Sequence, residues 1–178
     1  ILINPTNISP TTKKAIALLS KKYNKLKVIY CDSISKSGIL DANKECFGER
    51  FMPTYHFEKS NVIVSFGADF LAEWLDSGHA KQYSQKRNPG KDMSKHYQFE
   101  TLLSLTGSNA DKRIPVRPDE KLKYILYLLG EIQQLGGYEK SVDIKLDKHQ
   151  GLLKNIAEEL WSNKGESLVL SGSNNKSE

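Results

Sequence analysis

The segment from Asn61 to Phe66 constrains the fold more than any other part of the chain. It reads Asn-Val-Ile-Val-Ser-Phe, a run of β-forming residues with little polar alternation. Such a run is typical of a central strand in a parallel sheet whose two faces are both covered. Gly67 follows directly. The apolar residues after it predict a helix with one covered side, formed by Phe70, Leu71, Trp74 and Leu75.

Strand and helix signals alternate along the rest of the chain. N-cap residues, helix-ending glycines and apolar residues at three- and four-residue steps predict helices over 10–23, 39–47, 118–135 and about 147–163. Besides 61–66, short apolar or alternating runs predict strands at Leu26–Tyr30, Lys95–Thr101 and Ser167–Ser171. This alternation favours an α/β domain with one parallel sheet and helices on both faces.

The size and composition fit one globular domain. The chain has 178 residues, of which 38% are hydrophobic and 26% are charged, close to the averages for folded domains. We expect a domain over residues 1–171, followed by a polar tail over residues 172–178, and we expect the chain to be a truncated piece of a larger subunit. The predicted core follows the apolar side of each period: Ile29, Val62, Val64, Ile125, Leu129, Ile132, Leu153, Ile156 and Leu160.

The charge pattern and the residue types argue against several classes of protein. The net charge of +5 comes from scattered residues, without the dense basic runs of a nucleic-acid groove, and no stretch approaches the ~20 apolar residues of a membrane span. With only Cys31 and Cys46, the chain has too few thiolates for an iron–sulfur cluster or a four-cysteine zinc site. The four histidines have no metal-binding spacing, and no serine or cysteine has the setting of a catalytic nucleophile, so we predict no catalytic and no metal-binding residue.

Candidate ligand-binding residues lie beyond the carboxyl ends of the predicted strands, where parallel α/β sheets bind ligands. Gly67 would let a ligand approach the backbone, and a helix starting there would offer unpaired N–H groups. A purely structural role fits equally well, with Gly67 permitting a tight turn and Asp69 capping the helix. The carboxylate of Asp69 would suit a ribose or a guanine better than a phosphate. We interpret His96, on an alternating strand, as a half-buried polar residue and not as a catalytic one.

Four segments of the chain together resemble a known family. The segments are 9–14, 64–71, 104–118 and 164–172. They are similar to the molybdopterin oxidoreductase-like region of the iron–sulfur subunit of bacterial alternative complex III, within the dimethyl sulfoxide reductase and formate dehydrogenase-like superfamily. Segments 64–71 and 104–118 carry most of the resemblance, because the superfamily places a Gly-Ala-Asn turn and a later Thr, Ala-Asp and Arg-Pro-Gly segment around its guanine dinucleotide in this order.

The resemblance implies a Rossmann-like α/β fold, here a fragment of a molybdopterin oxidoreductase-type fold, and a set of remnant cofactor-binding residues. The set comprises Gly67, Ala68, Asp69, Thr106, Gly107, Asn109, Asp111, Arg113 and Arg117. We expect the crevice between Gly67–Asp69, Ser108–Arg117 and the polar tail, with the polar residues of 108–117 pairing with groups across the loops.

The sequence departs from the superfamily pattern at the positions that would meet the dinucleotide. Asp69 stands in place of the usual asparagine, and Asp119 stands in place of the glycine after Arg-Pro. The strand that usually ends in Asp-Pro-Arg ends here in Phe99-Glu100-Thr101. Glu100 and Asp119 add negative charge where a pyrophosphate would lie, opposed by Arg113 and Arg117. We therefore expect weak nucleotide binding at most.

The resemblance implies a scaffold role in a respiratory quinol:electron-acceptor oxidoreductase. The domain would have lost its molybdopterin, would hold no cofactor itself, and would support iron–sulfur clusters located elsewhere in the full-length subunit. Its partners would be the other domains and subunits of a membrane-associated electron-transport complex on the periplasmic side of the inner membrane, with no nucleic acid and no direct membrane span. Two alternatives stay open: an oxidoreductase fragment that still binds molybdopterin guanine dinucleotide, and an independent nucleotide-binding α/β module.

Overall fold

The protein has an α/β fold, with parallel sheets flanked by helices, consistent with a Rossmann-like domain. The computed structural model describes residues 1–7, 9–72, 74–75, 78–90 and 92–178. Contacts between backbone positions divide the chain into two compact units, unit 1 over Ile1–Ser37 and unit 2 over Gly38–Glu178. The predicted fold class is confirmed.

Unit 1 contains two short parallel strands and one helix. The elements are β1 (Leu2–Asn4), α1 (Pro10–Lys22) and β2 (Val28–Tyr30). The side chain of Ser9 accepts a hydrogen bond from the Thr12 N–H and caps α1, as predicted. The prediction that Leu26–Tyr30 joins the main sheet was wrong, because β2 pairs with β1 in a separate two-stranded sheet. The β1 segment is too short to be recognised as a strand from its sequence.

Unit 2 is built on a four-stranded parallel sheet. Its strands are β3 (Val62–Phe66), β4 (Lys95–Glu100), β5 (Lys112–Pro115) and β6 (Ser167–Ser171), in the order β5-β4-β3-β6. The predicted strands at 61–66, 95–101 and 167–171 are confirmed as parallel members of this sheet. The fourth strand, β5, was not predicted.

The connections of unit 2 first add strands on one side of β3 and then on its other side. The helices are α2 (Ser37–Phe47, beginning at the unit boundary), α3 (Gly78–Gln85), α4 (Leu105–Ser108), α5 (Lys121–Leu135) and α6 (Gln150–Ser162), with a 3-10 turn at Phe57–Lys59. The chain moves outward from β3 through β4 to β5. It then returns through α5 and α6 to β6, on the other side of β3. The direction of winding therefore reverses between β3 and β6, which is the switch point where open α/β sheets bind ligands.

Two apolar clusters cover the two faces of the sheet. The first joins Val62, Val64 and Phe99 of the sheet to α5 and α6. The second, on the opposite face, contains Phe57, Ile63, Ala68, Phe70, Tyr83 and Leu170. Alternation along β4 sends Tyr97 and Phe99 to the first cluster and leaves His96, Gln98 and Glu100 for the second face.

The helix predicted immediately after Gly67 was wrong. Residues 70–72 form a turn, residues 74–75 form a bend, and the next helix in the described part of the chain is α3, Gly78–Gln85. Leu75 has a φ of 60°, a left-handed conformation that a right-handed helix does not contain. Phe70 is buried nevertheless, and Leu71 and Trp74 pack against the same cluster, because the turn itself faces the sheet.

The predicted core was right for most positions and wrong for two. Five of the residues are buried, namely Val62, Val64, Leu153, Ile156 and Leu160, and Ile125 and Ile132 are partly buried against the first cluster. Ile29 and Leu129 are 46% and 44% exposed. Leu129 faces away from the core because α5 buries its tyrosine side, with Tyr124, Tyr127 and Leu128. The tyrosines occupy the side of α5 that faces the core, which turns Leu129 toward solvent.

Two neighbouring leucines of α5 test this orientation of the helix. Leu128 is 2% exposed and Leu129 is 44% exposed. We expect Leu128→Ala to lower the free energy of unfolding by about 2–5 kcal/mol, because it leaves a cavity in the first cluster. The matched change Leu129→Ala should lower it by less than about 1 kcal/mol. Denaturant unfolding followed by circular dichroism measures both, and equal losses would contradict the orientation.

Candidate functional site

The turns after β3 and β6 meet at the switch point with their backbones in direct contact. Gly67 has a φ of 71°, and its N–H donates to the carbonyl of Phe99 at 2.8 Å. The Gly172 N–H donates to the carbonyl of Phe66 at 3.1 Å. A Cβ at Gly172 would lie 2.3 Å from the Gly67 carbonyl oxygen and 2.6 Å from the Ala68 Cα. Glycine is thus required at 172, and the backbone of the tail fills the space where a ligand would enter.

The rest of the tail continues over the same edge of the sheet. Asn174 Oδ1 accepts a hydrogen bond from the Gly38 N–H at 2.9 Å, in the first turn of α2. A Cβ at Gly38 would lie 2.4 Å from the Asn174 carbonyl oxygen. The carboxylate of Glu178 forms an ion pair with Lys121 at 2.7 Å, and that Lys121 Nζ lies 3.9 Å from the Cβ position of Gly67. The tail therefore occupies both a helix N-terminus and the cation nearest the glycine turn.

A small cavity remains beside the tail. It measures about 140 Å³ and is bounded by α2, Tyr55 and the tail, including Gly38, Asn43, Ser171 and Ser173. Pockets that hold a cofactor or a drug-sized ligand commonly measure roughly 300–1,000 Å³. This cavity is too small for a dinucleotide.

Asp69 ties the glycine turn to α4. Its Oδ1 accepts hydrogen bonds from the backbone N–H of Thr106 at 2.9 Å and from the Thr106 hydroxyl at 2.7 Å. The Thr106 oxygen in turn accepts from the Leu71 N–H at 2.9 Å, and Thr106 is fully buried. Because no helix begins at Asp69, the carboxylate does not cap one. It crosslinks two loops that the sequence resemblance assigns to cofactor binding.

Gly107 and Arg113 both pack around the carboxylate of Glu100. Glu100 is 4% exposed, and its Oε1 accepts from Arg113 Nε at 2.5 Å. Its Oε2 accepts from the Ser104 hydroxyl at 2.6 Å, and the Ser104 Oγ accepts from the Gly107 N–H at 2.9 Å. A Cβ at residue 107 would lie 1.9 Å from Glu100 Oε1. The glycine is therefore needed for this carboxylate, whereas the resemblance would assign it to a ligand.

A chain of buried polar groups runs along the second face of β4. His96 and Gln98 are fully buried, and Tyr83, from α3, is 5% exposed. The Tyr83 hydroxyl lies 3.1 Å from His96 Nδ1, His96 Nε2 lies 3.2 Å from Gln98 Oε1, and Gln98 Nε2 donates to Glu100 Oε2 at 3.3 Å. The expectation that His96 is only half-buried was wrong, because α3 covers it with Tyr83.

Asp111 and Asn109 lie at the amino end of the sheet, opposite the glycine turns. Asp111 precedes β5, accepts from the His96 N–H at 2.7 Å, and binds both terminal nitrogens of Arg87 at 2.7 and 2.9 Å. The Asn109 carbonyl accepts from the Tyr83 hydroxyl at 3.0 Å, and its side chain donates to the Leu105 carbonyl. The connection over residues 101–111 carries the chain from the carboxyl end of β4 to the amino end of β5, so Asn109 and Asp111 do not share one crevice with Gly67.

Arg117 follows β5 and is the most solvent-exposed of the predicted site residues that form ion pairs. Its side chain is 73% exposed and contacts Asp119 at 3.0–3.1 Å through two nitrogens. Arg113 pairs with Glu100 as described. Both arginines near the carboxyl edge therefore form ion pairs, Arg113 with Glu100 and Arg117 with Asp119.

Burial and hydrogen bonding shift the pKa values of this polar chain. Burial lowers the pKa of His96 to about 4 and raises the pKa of Tyr83 to about 12. Burial by itself would raise the pKa of Glu100, but hydrogen bonds from Ser104 and Arg113 outweigh it and lower that pKa. The pKa of Asp111 is lowered in the same way, with burial outweighed by Arg87 and the His96 N–H. At neutral pH the imidazole is neutral and both carboxylates are charged.

The residues that the resemblance assigns to a guanine dinucleotide do not fit that group in this structure. Gly172 lies on the Gly67 turn, and the Glu100 carboxylate lies where the Gly107 backbone would approach a ligand. The Asp69 carboxylate is satisfied by Thr106. The groups that would have to receive a pyrophosphate are already engaged with one another.

Comparison with known proteins gives no family for this chain. The sequence matches no protein-family model and no curated protein.

The described part of the chain has neither a cluster of metal-binding side chains nor a membrane-spanning helix. Among those residues, no group of three or more His, Cys, Asp or Glu side chains is placed to hold a metal ion. None of the helices within them is long and apolar enough to cross a membrane.

Sequence reasoning missed the partners that organise these loops. The alternation of His96, Gln98 and Glu100 with aromatic residues was visible and could have indicated a polar face. No local signal connects Arg87 to Asp111 or Asn174 to Gly38, which are 24 and 136 residues apart. Such pairs arise only when the strands have been placed.

The contact between Gly107 and Glu100 can be tested by a double-mutant cycle. We expect Gly107→Ala to destabilise the protein by about 1–3 kcal/mol, because the new methyl group meets a carboxylate fixed by Arg113 and Ser104. In a Glu100→Ala background the same change should cost less than about 0.5 kcal/mol, since the obstructing group is gone. Denaturant unfolding of the four proteins measures the coupling. Additive losses would refute the contact.

Burial of neutral His96 predicts a pH dependence of stability. The folded-state pKa of about 4 lies below the usual unfolded value of ~6.5, so the unfolded chain binds more protons between these values. Stability is therefore complete above pH 6.5 and falls as the pH drops toward 4. From pH 7 to pH 5 the loss attributable to His96 should be about 2 kcal/mol.

The His96→Gln variant should lose this part of the pH dependence. Glutamine can still hydrogen-bond to Tyr83 but takes up no proton in this range. His56→Gln is the matched control, because His56 has an exposed side chain that pairs with Glu58 at the surface. Urea unfolding at several pH values gives the slopes, and an unchanged slope in His96→Gln would contradict the assignment.

Proposed function

We propose that this chain is a scaffold domain of the iron–sulfur subunit of a respiratory quinol:electron-acceptor oxidoreductase, without a molybdopterin of its own. The iron–sulfur clusters belong to another domain of the full-length subunit, and the assembly lies on the periplasmic side of the bacterial inner membrane. The resemblance of segments 64–71 and 104–118 to the molybdopterin superfamily supports the family. The fold, a parallel α/β sheet with a switch point, is compatible with a fragment of that superfamily's fold.

The direct contact of Gly172 with the Gly67–Ala68 turn is the observation that favours a scaffold over a cofactor-binding enzyme. A dinucleotide at the switch point needs open space and free N–H donors beyond β3. Here the Gly67 N–H is bonded to Phe99, and the tail backbone lies within contact distance of the turn. Binding would require the tail to leave, and with it the interactions of Asn174 and Glu178.

Charge pairing at the carboxyl edge supports the same proposal. A pyrophosphate is bound by unpaired cations and N–H groups. Arg113 and Arg117 are paired with Glu100 and Asp119, and Lys121 is paired with Glu178. The carboxylate beside each of these cations would repel a pyrophosphate.

Analysis of the native full-length subunit tests the proposed function. The subunit should be purified from its source membranes, and its iron, molybdenum, tungsten and pterin contents measured per polypeptide. We expect stoichiometric iron with no stoichiometric molybdenum, tungsten or pterin. Stoichiometric molybdenum or tungsten together with a pterin would refute the scaffold role. A subunit without iron would refute the assignment to an electron-transfer complex.

Nucleotide titration tests the closed crevice in the chain itself. We expect guanosine diphosphate to bind more weakly than millimolar, as measured by calorimetry, because the tail and the paired carboxylates occupy the crevice. Two variants, Gly67→Val and Asp69→Ala, show whether any heat of binding comes from the crevice. A micromolar affinity that is abolished by Gly67→Val and weakened by Asp69→Ala, in variants whose thermal midpoints show them folded, would overturn the proposal.

A further inference from the structure

Unit 1 is a compact piece of chain without an interior of its own. Among its described residues, 1–7 and 9–37, none is buried. A pair of short strands and one helix bury too little apolar surface to offset the entropy lost on ordering, and two-stranded sheets are marginal in water. The unit therefore depends on a surface that covers part of it.

One face of the β1-β2 sheet is apolar and exposed. Ile3 and Ile29 are register partners, so their side chains lie on the same face, and they are 69% and 46% exposed. Ile1, two residues before Ile3, follows the same alternation and is 82% exposed. Within the described residues, each of the two strands has a neighbouring strand on one edge and none on the other. An uncovered apolar face with open edges is a surface on which another protein can pack.

Basic residues occur along the whole chain, but the excess of basic over acidic residues arises in the same unit. Residues 1–37 contain seven lysines and one acidic residue, Asp32, a net charge of +6. The whole chain has a net charge of +5, so residues 38–178 have a net charge of −1. Four of the lysines lie on α1, are exposed, and form no ion pair with any described residue: Lys13, Lys14, Lys21 and Lys22.

We propose that unit 1 docks onto an acidic protein, another subunit of the same assembly, that presents both carboxylates and an apolar patch. The partner's carboxylates pair with the α1 lysines, and its apolar patch covers the face formed by Ile1, Ile3 and Ile29. This inference rests on the proposed function and adds the chemistry of the partner.

Charge and shape favour this occupant over the others. A second copy of unit 1 would bring +6 against +6, which opposes association. A lipid headgroup layer would attract the lysines but offers no rigid surface to pack on a flat sheet face. A nucleic acid likewise satisfies the lysines and leaves the isoleucines uncovered. An acidic protein supplies the carboxylates together with a rigid apolar surface that can pack on the flat sheet face.

Zero-length crosslinking of the native assembly tests the proposal. The assembly is purified through a tag on the full-length subunit and treated with a carbodiimide, which joins a lysine directly to a carboxylate within ion-pair distance. Peptide mass spectrometry should find Lys13, Lys14, Lys21 or Lys22 joined to aspartate or glutamate of a different polypeptide. Links from these lysines only to carboxylates of the same chain would overturn the proposal.

Charge-reversal variants give an independent readout. Replacing Lys13, Lys14, Lys21 and Lys22 with glutamate should reduce co-purification of the crosslinked polypeptide at least tenfold. The control variant should retain the crosslinked polypeptide. It replaces four exposed lysines of unit 2 with glutamate: Lys123, Lys145, Lys148 and Lys154. The proposal would be overturned if both variants retained the crosslinked polypeptide equally. It would also be overturned if the subunit bound phosphatidylglycerol vesicles through these lysines and bound no protein through them.

The apolar half of the contact is tested in the same assay. Ile3→Ser together with Ile29→Ser should also reduce co-purification, whereas Val169→Ser, at a 46% exposed position of β6, should not.

Failure of the proposed function has a different outcome. If no other polypeptide co-purifies with the unaltered subunit, the scaffold role fails and this inference fails with it. If one co-purifies but never links to unit 1, only this inference fails.

Discussion

The burial of three polar side chains along one face of β4 is the constraint on which the rest of unit 2 depends. His96, Gln98 and Glu100 are at most 4% exposed, so each must find hydrogen-bond partners within the protein. A buried polar group without a partner costs roughly 1–3 kcal/mol, and a charged group costs more. Tyr83 from α3 satisfies one end of this row, and Arg113 from β5 satisfies the other. The polar face thereby fixes the elements on either side of the strand.

The loops at the carboxyl edge follow from this constraint. The Glu100 carboxylate accepts a hydrogen bond from the Ser104 hydroxyl, and Ser104 is the N-cap residue at which α4 starts. The same carboxylate leaves no room for a side chain at residue 107. With α4 in place, Thr106 reaches Asp69 and holds the Gly67 turn. The motif residues that resemble a dinucleotide site are thus explained by contacts among themselves.

Local patterns predicted the parts of the fold that depend on local chemistry. β6 has the predicted bounds, because an uninterrupted apolar run between a helix and a polar segment has one simple interpretation. β5 was missed because Lys112–Pro115 is short, begins with two basic residues and ends at a proline. The exposed side of α5 was misassigned because apolar residues and tyrosines both follow helical spacing. At the candidate site, Gly67 was predicted as a tight turn, but its contact with Gly172 depends on β3 and β6 being neighbours, which no local pattern encodes.

Amide hydrogen exchange of the full-length subunit tests most directly whether internal contacts, and not a ligand, hold these loops. The N–H groups of Gly67, Thr106 and Gly107 are bonded to Phe99, Asp69 and Ser104. They should be protected without any nucleotide, to a degree close to that of the β4 amides, and guanosine diphosphate should leave their exchange unchanged. Fast exchange of these amides in the free subunit, followed by protection when the nucleotide is added, would contradict the closed crevice.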